Sequence, residues 1–287
     1  MLIGPGDDAA VVAAPDGRVV VTTDLLVENR HFRRDWSTAT DIGHKAAARS
    51  LADIAAMGAA PTAVVVGFAA PAETPAEWVD GLMAGLREEC ANVGASVVGG
   101  DVTAADTITV AVTAIGSLDF REAVTLDGAR AGDLVAVIGR LGWAAAGFAV
   151  LGRGFRSPVQ VVAAHRRPEP PYGEGPQAAA LGATAMTDVS DGLIADLGHI
   201  ADASGVRINL EAALIDVPAK LAEVGAALNI DPYVWVLTGG DDYPLAATFP
   251  PHTLLPEPWV VIGTVAEGEG VRVDGRRWPV GGHEHFR

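Results

Sequence analysis

VVVTTD, residues 19–24, is the stretch from which the fold can be read. A run of β-branched valines predicts a buried strand, and it ends on two hydroxyls and a carboxylate. A strand that delivers Thr22, Thr23 and Asp24 to its carboxyl end offers oxygen donors on a rigid support. Hard cations such as Mg²⁺ take such donors and bridge well to phosphates. Thr and Asp also close strands for turn reasons alone, so the stretch gains weight from its repetition elsewhere. The theme returns in Gly6-Asp7-Asp8, Leu51-Ala52-Asp53, Gly99-Gly100-Asp101 and Asp188-Val189-Ser190-Asp191-Gly192.

Upstream, residues 9–12 form a short strand candidate and Pro15-Asp16-Gly17 a turn, which together predict an antiparallel hairpin with residues 19–24. Its two ends would set Asp7 and Asp8 beside Asp24. Downstream, residues 25–36 lack periodicity and carry Glu28, Asn29, Arg30, His31 and Phe32, a polar binding-loop candidate. On spacing alone, His31 reads as a surface imidazole. Residues 41–57 predict an Ala-rich helix stopped by Gly58 and Pro61. Asp53 then falls in its last turns, among apolar neighbours and at the end of the helix dipole that disfavours negative charge. A solvent-facing Asp53 is the plain alternative; a buried one needs a cation or a donor.

Residues 62–69 predict a strand, and Thr74-Pro75-Ala76-Glu77 a capping box opening a helix that ends at Gly94. Residues 96–98 predict a short strand entering a Gly99-Gly100-Asp101 turn, where glycines let a backbone approach a ligand. Residues 107–116 alternate as a strand. In the second half, strands are expected at 134–138, 185–188, 207–210, 259–265 and 271–273, with helices at 142–151, from Leu193 to Gly205, and at 219–227. Residues 153–175, including His165-Arg166-Arg167, read as a loop or broken helix whose basic residues are a solvated face or a phosphate contact. Asp188, Ser190 and Asp191 lie at a strand-to-helix junction, where acids also serve as caps. The expected fold class is α+β, with an N-terminal domain over 1–118 and a C-terminal domain over 119–287.

Composition narrows the function. The chain has 287 residues, 49% of them hydrophobic, so a sizeable core is expected. A net charge of −16 argues against nucleic acid as a partner, whereas an anionic ligand can still bind through bridging cations. Cys90 is the single cysteine, which excludes an internal disulfide and a cysteine metal cage. No signal-peptide pattern opens the chain and no apolar run is long enough to span a bilayer, so no membrane association and a cytoplasmic address are expected. No P-loop, dinucleotide fingerprint, nucleophile elbow or metal-spaced histidine pair is present. What remains is a set of carboxylates at element ends: Asp8, Asp24, Asp53, Asp101, Asp188 and Asp191. Converging on one site, they would stay ionised only around cations, and several Mg²⁺ ions beside glycine-rich turns describe a triphosphate site.

The stretches GDDAA (6–10), TTD (22–24) with His31-Phe32 following, KAAARSLADIAAMGAAP (45–61), GGD (99–101), DVSDGL (188–193), GGDDYPL (239–245) and the closing His285-Phe286 occur in this order along nearly the whole chain. In that combination the sequence resembles the thiamine-monophosphate kinases, within the superfamily of aminoimidazole ribonucleotide synthetase and selenophosphate synthetase. The resemblance implies ATP-dependent phosphorylation of thiamine monophosphate to thiamine diphosphate by a homodimer of two-domain chains. It also implies a Mg²⁺ shell from Asp8, Thr22, Thr23, Asp24, Asp53, Asp101, Asp188 and Asp191. Gly100, Asp101 and Ser190 become nucleotide contacts, and His31, Asp241 and His283 substrate contacts. No residue is implied as a covalent nucleophile, in agreement with the lack of an activated Ser, Cys or His constellation.

The chain departs from the family at identifiable places. Gly240-Asp241-Asp242-Tyr243-Pro244-Leu245 stands where the family has Gly-Glu-Asp-Tyr-Glu-Leu, Leu126 where an Arg helps hold ATP, and His283 where an aromatic precedes the terminal His-Phe. The family carries a strand and a helix ahead of its GDD motif, and Met1 stands almost against it here. A truncated start or a reduced dimer scaffold is therefore expected. Two other readings fit these departures: a superfamily relative with a different acceptor, and a nucleotide- and Mg²⁺-binding pseudoenzyme. Selenophosphate synthetase and the hydrogenase-maturation relative are disfavoured, because neither an N-terminal glycine-loop cysteine nor a terminal cysteine is present.

Overall fold

The computed structural model describes residues 12–278, which divide into two compact units between Glu122 and Ala123. In the first unit, β1 (Val20–Val27), β2 (Ala60–Ala70), β3 (Ser96–Ala104) and β4 (Thr109–Ser117) form one sheet in the order β1-β4-β2-β3. The helices α1 (Ala39–Ala56) and α2 (Ala76–Asn92) pack on it. β4 is antiparallel to both β1 and β2, while β2 and β3 run parallel, as they must when a helix makes the crossover between them.

Alternation along β1 sorts its side chains. Thr22, Asp24 and Leu26 turn toward the helices, while Val21, Thr23 and Leu25 lie on the uncovered face. Two expectations change here. The strand does not stop at Asp24 but runs on to Val27, so Thr22, Thr23 and Asp24 sit within it. Its partner is β4, held by the apolar register Val20↔Gly116 to Val27↔Thr109. The expected hairpin partner at residues 9–12, together with Asp7 and Asp8, lies outside the described residues apart from Val12, which is not in a strand.

α1 begins earlier than its apolar spacing indicates, because Thr38 and Asp41 form a capping box. Thr38 Oγ1 accepts the Asp41 N–H at 3.2 Å, and Asp41 Oδ2 accepts the Thr38 N–H at 2.9 Å. The box expected at Thr74 is absent: Pro75 occupies the N-cap of α2 and no side chain bonds there. Gly99-Gly100-Asp101 is not a turn either. β3 continues through it to Ala104, with Gly100 opposite Val66 and Asp101 opposite Gly67. A Cβ on Gly100 would stand 2.0 Å from the Val66 carbonyl oxygen, so the strand itself requires glycine there.

The second unit has a six-stranded sheet in the order β10-β7-β9-β5-β8-β6, from β5 (Leu134–Ile138), β6 (Ala185–Asp188), β7 (Arg207–Leu210), β8 (Leu245–Phe249), β9 (Val260–Ala266) and β10 (Gly270–Val273). Its helices are α3 (Trp143–Gly152), α4 (Val159–Arg166), α5 (Glu174–Ala180), α6 (Leu193–Ser204), α7 (Ala219–Leu228) and α8 (Pro232–Thr238). β8, paired between β5 and β6, is buried at every position, Thr248 included. The basic stretch at 153–175 contains α4 and the start of α5. His165 is buried at the end of α4, with Phe148 tilted against its ring at 5.7 Å, so that imidazole is not part of a solvated face. Each unit combines a sheet with segregated helices, an α+β arrangement.

Candidate functional site

In the first unit, α1 and β1 bring two carboxylates together. Asp53 lies one turn from the end of α1, and the inward alternation of β1 points Thr22 and Asp24 toward that helix. Thr22 Oγ1 donates to Asp53 Oδ2 at 2.6 Å. Ser50, one turn earlier on α1, lies 3.0 Å from Asp24 Oδ2 and 2.9 Å from the Val112 carbonyl oxygen. Arg49 Nη2 forms an ion pair with Asp24 Oδ1 at 3.5 Å, long for a hydrogen bond. Burial pushes the Asp53 carboxyl up to about 6, and the Asp24 charge adds to the rise; Thr22 and Arg49 pull it back only in part. Two acids therefore share one half-buried place with incomplete compensation. Their oxygen donor set, with the Thr22 hydroxyl beside them, fits a hard divalent cation.

The other predicted ligands of this unit are not gathered with them. Thr23 faces the opposite side of the sheet, where its hydroxyl meets that of Thr113 at 3.0 Å. Asp101 aligns through Gly67 and Ala111 with Leu25, which puts it on that same uncovered face. It stands three strand spacings, about 14 Å, from β1. Its carboxylate is exposed and accepts the Val102 N–H at 2.9 Å. No group of three or more His, Cys, Asp or Glu side chains able to hold a metal occurs among the described residues. Asp8 and His283 lie outside them. His31 follows β1 in a tight turn, and its Nδ1 accepts the Val27 N–H at 2.9 Å, which assigns the proton of the neutral ring to Nε2.

In the second unit, the loop after β6 and the turn before β8 are laced together. The Asp241 N–H donates to Ser190 O at 3.0 Å, Tyr243 N–H to Val189 O at 3.3 Å, and Val189 N–H to Pro244 O at 2.8 Å. Gly240 is pressed so closely on this contact that a Cβ would come within 1.9 Å of Ser190 O. Asp188, Ser190, Asp191 and Asp241 are thereby held in one cluster of chain. Asp191 and Ser190 are not helix caps: the N-cap of α6 is Gly192 and no side chain caps it. The loop is instead held from inside the helix. Asp196 Oδ2 accepts the N–H groups of both Asp191 and Gly192 at 3.0 Å. Burial pushes the Asp196 carboxyl up to about 6, against the two N–H donors that lower it.

Asp241 and Tyr243 adopt left-handed conformations, with φ of 67° and 55°. Tyr243 Oη donates to Asp241 Oδ1 at 2.9 Å and so fixes the carboxylate of the predicted substrate contact. Between them, Asp242 turns inward and is buried, its Oδ1 accepting the Ala144 N–H at 2.8 Å at the start of α3. Burial drives its carboxyl up to about 8 despite that bond. Sequence reasoning missed Asp196 and Asp242. An acid in the first turn of a helix was a usable signal for Asp196; Asp242 had none, since its partner is ninety-eight residues away.

Residues 6–118 match the AIR synthase related protein N-terminal domain, and residues 130–276 match its C-terminal domain. The thiamine-monophosphate kinase of Mycobacterium tuberculosis is 52% identical over 280 residues, covering 97% of this chain and 84% of that protein. The crystal structure of the thiamine monophosphate kinase from Aquifex aeolicus superposes with a TM-score of 0.86 at 30% identity, over 94% of this chain and 91% of that one. AaThiL complexed with AMPPCP and TMP superposes at 0.89 with 31% identity, over 98% and 91%. By sequence and by fold, the chain belongs to the thiamine-monophosphate kinase family of AIR synthase related proteins.

Proposed function

We propose that this chain transfers the γ-phosphoryl group of ATP to thiamine monophosphate, giving thiamine diphosphate and ADP. The observation that carries the proposal is its likeness, along nearly the entire chain, to a kinase structure complexed with AMPPCP and TMP. A phosphate oxygen of thiamine monophosphate attacks the γ-phosphorus, and the bond to the β,γ-bridging oxygen breaks as ADP leaves. Such a transfer asks the protein for alignment and charge control rather than for a covalent nucleophile.

Mg²⁺ fits the reading through the Asp24–Asp53 pair, where a raised carboxyl and a neighbouring charge call for a cation. Asp24, Asp53 and Thr22 would hold it; the family resemblance adds Asp8, Asp188 and Asp191 to the metal ligands, whereas Thr23 and Asp101 lie on the opposite face of the first sheet from this pair. When bound, the ion neutralises phosphate charge and fixes the phosphate chain. Thr22 and Ser50 orient the two carboxylates by donating hydrogen bonds. Arg49 keeps positive charge beside Asp24. Ser190, Gly100 and Asp101 are assigned to the nucleotide, and His31, Asp241 and His283 to thiamine monophosphate. Asp241 supports its assignment by standing in a strained backbone geometry, where binding residues concentrate.

A homodimer completes the proposal. The uncovered face of the first sheet carries Val21, Leu25 and Val65, each more than a third exposed, and a sheet with such an apolar face needs a cover. We place the reaction in the cytoplasm, the compartment that holds ATP; no described helix is long and apolar enough to cross a membrane. The test is to measure ADP and thiamine diphosphate together, with and without thiamine monophosphate. Equal formation of both supports the proposal. ADP without acceptor dependence points to an ATPase, and ATP binding without turnover on any acceptor to a pseudoenzyme.

A further inference from the structure

The turn at 239–244 poses a physical question that the ligand assignments leave open. Asp241 and Tyr243 are non-glycine residues at positive φ, separated by one residue. Each such position is strained for a side chain with a Cβ and persists only where the surroundings enforce it. Backbone bonds from Asp241 to Ser190 and from Tyr243 to Val189 enforce it from one side. A further tether is Asp242, whose Oδ1 takes the Ala144 N–H at 2.8 Å. Ala144 is the second residue of α3, so the carboxyl occupies the N-terminus of a ten-residue helix. Its Oδ2 is buried and has no hydrogen-bond partner among the described residues. A carboxyl placed in apolar surroundings with half its capacity unused is expensive, and a neutral cap at this helix would avoid that cost.

We propose that Asp242 is a positioning residue of the phosphoryl-transfer site: by anchoring the 239–244 turn on the N-terminus of α3, it holds Asp241 and its bond to Ser190 in the geometry that the reaction uses. The inference rests on the proposed kinase reading of this cluster. Without the anchor the turn can relax toward negative φ, which withdraws the Asp241 N–H from Ser190 and swings its carboxylate away from Tyr243. Asp242 itself points into the fold, so its effect passes through Asp241 and Ser190. Protonation at near-neutral pH, expected for a carboxyl pushed up to about 8, makes asparagine its closest mimic.

The experiment uses the full chain with ATP, Mg²⁺ and thiamine monophosphate, and compares D242A, D242N, D241A and the D241A/D242A double variant. The expected result is a fall of at least tenfold in kcat/KM for D242A at temperatures where circular dichroism shows it fully folded. D242N, which keeps an oxygen for Ala144, is expected to restore most of that activity. The double variant should lose little beyond D241A, since both act through one carboxylate. Full activity in folded D242A, or losses that multiply in the double variant, would overturn the assignment. If D242A does not fold, D242N decides. Recovered activity with slow hydrogen exchange at the Asp241 amide supports the anchor, and a tenfold loss in a stably folded D242N contradicts it. Absence of thiamine diphosphate formation by the unmodified chain is a different failure, that of the kinase reading.

Discussion

The acid pair on β1 and α1 and the laced loops before α6 and β8 hold carboxylates by opposite means. In the first, regular elements bring Asp24 and Asp53 together, and Thr22, Ser50 and Arg49 compensate them only partly. In the second, Asp196 Oδ2 takes two backbone N–H groups at the start of α6, and Asp242 Oδ1 takes one at the start of α3. A carboxylate answered by the backbone is architecture; one left facing another carboxylate is poised for a cation. Acid content alone does not separate the two, whereas the donors around each acid do.

The comparison breaks most severely if the first pair is dispensable. D24N and D53N are each expected to reduce turnover by roughly 100-fold or more while leaving the fold intact, the scale on which a group that controls transferring charge acts. Steady-state ADP release beside circular dichroism checks it, and near-normal rates in either variant would remove the pair from the site.

On the architectural side, D196A withdraws the acceptor of the buried Gly192 N–H and the partly buried Asp191 N–H and should cost about 2 kcal/mol of stability. Denaturant unfolding measures this; a loss within experimental scatter would show that the 188–192 loop is held by other contacts.

The acids of the first pair should act in the reverse sense once metal is stripped away. Asp53 has its carboxyl raised from 3.8 to about 6. Its contribution to stability is therefore complete below about pH 4 and is lost as pH rises through about 6. D53N abolishes that loss, so in EDTA at pH 8 it should be more stable than the unmodified chain by about 1–2 kcal/mol. The difference should close by pH 4. Thermal melts across that range, showing D53N less stable at pH 8, would reverse the electrostatic account.

The smallest expected effect separates neighbours on one strand. T22V removes the donor to Asp53 and should weaken Mg²⁺-dependent activity by about tenfold, consistent with about 1.4 kcal/mol for a hydrogen bond to a charged group. T23V alters a hydroxyl on the other face and should show a smaller loss in the same assay. Equal losses would mean that alternation along β1 does not decide which hydroxyl serves the acids.

Much of this arrangement was legible in the chain because it follows from local periodicity. The limits of β5, β6 and β7 follow directly from short apolar runs bounded by turn residues. Gly205 ends α6 in a left-handed cap, as glycine there implies. Asp53 was recognisable as an acid in the wrong electrostatic place, and the structure gives it Thr22 and Asp24 as neighbours. What could not be read depended on pairing between distant segments. Whether 99–101 was a turn or a strand hinged on pairing with β2, on the Val66 that stands opposite Gly100 and thirty-four residues before it. The separation of Thr23 and Asp101 from Asp24 follows from sheet order and facing, which composition does not encode. Asp242 was hidden for the same reason, since its donor belongs to α3.

The central claim is that Asp24 and Asp53 form a cation site for a nucleotide. Calorimetric titration of Mg²⁺ into the metal-free chain at pH 8, in the presence of AMPPCP, tests it most directly when run on the unmodified protein and D53N in parallel. Saturable binding in the first and its loss or severe weakening in the second is the predicted result; equal affinity in both would contradict the claim.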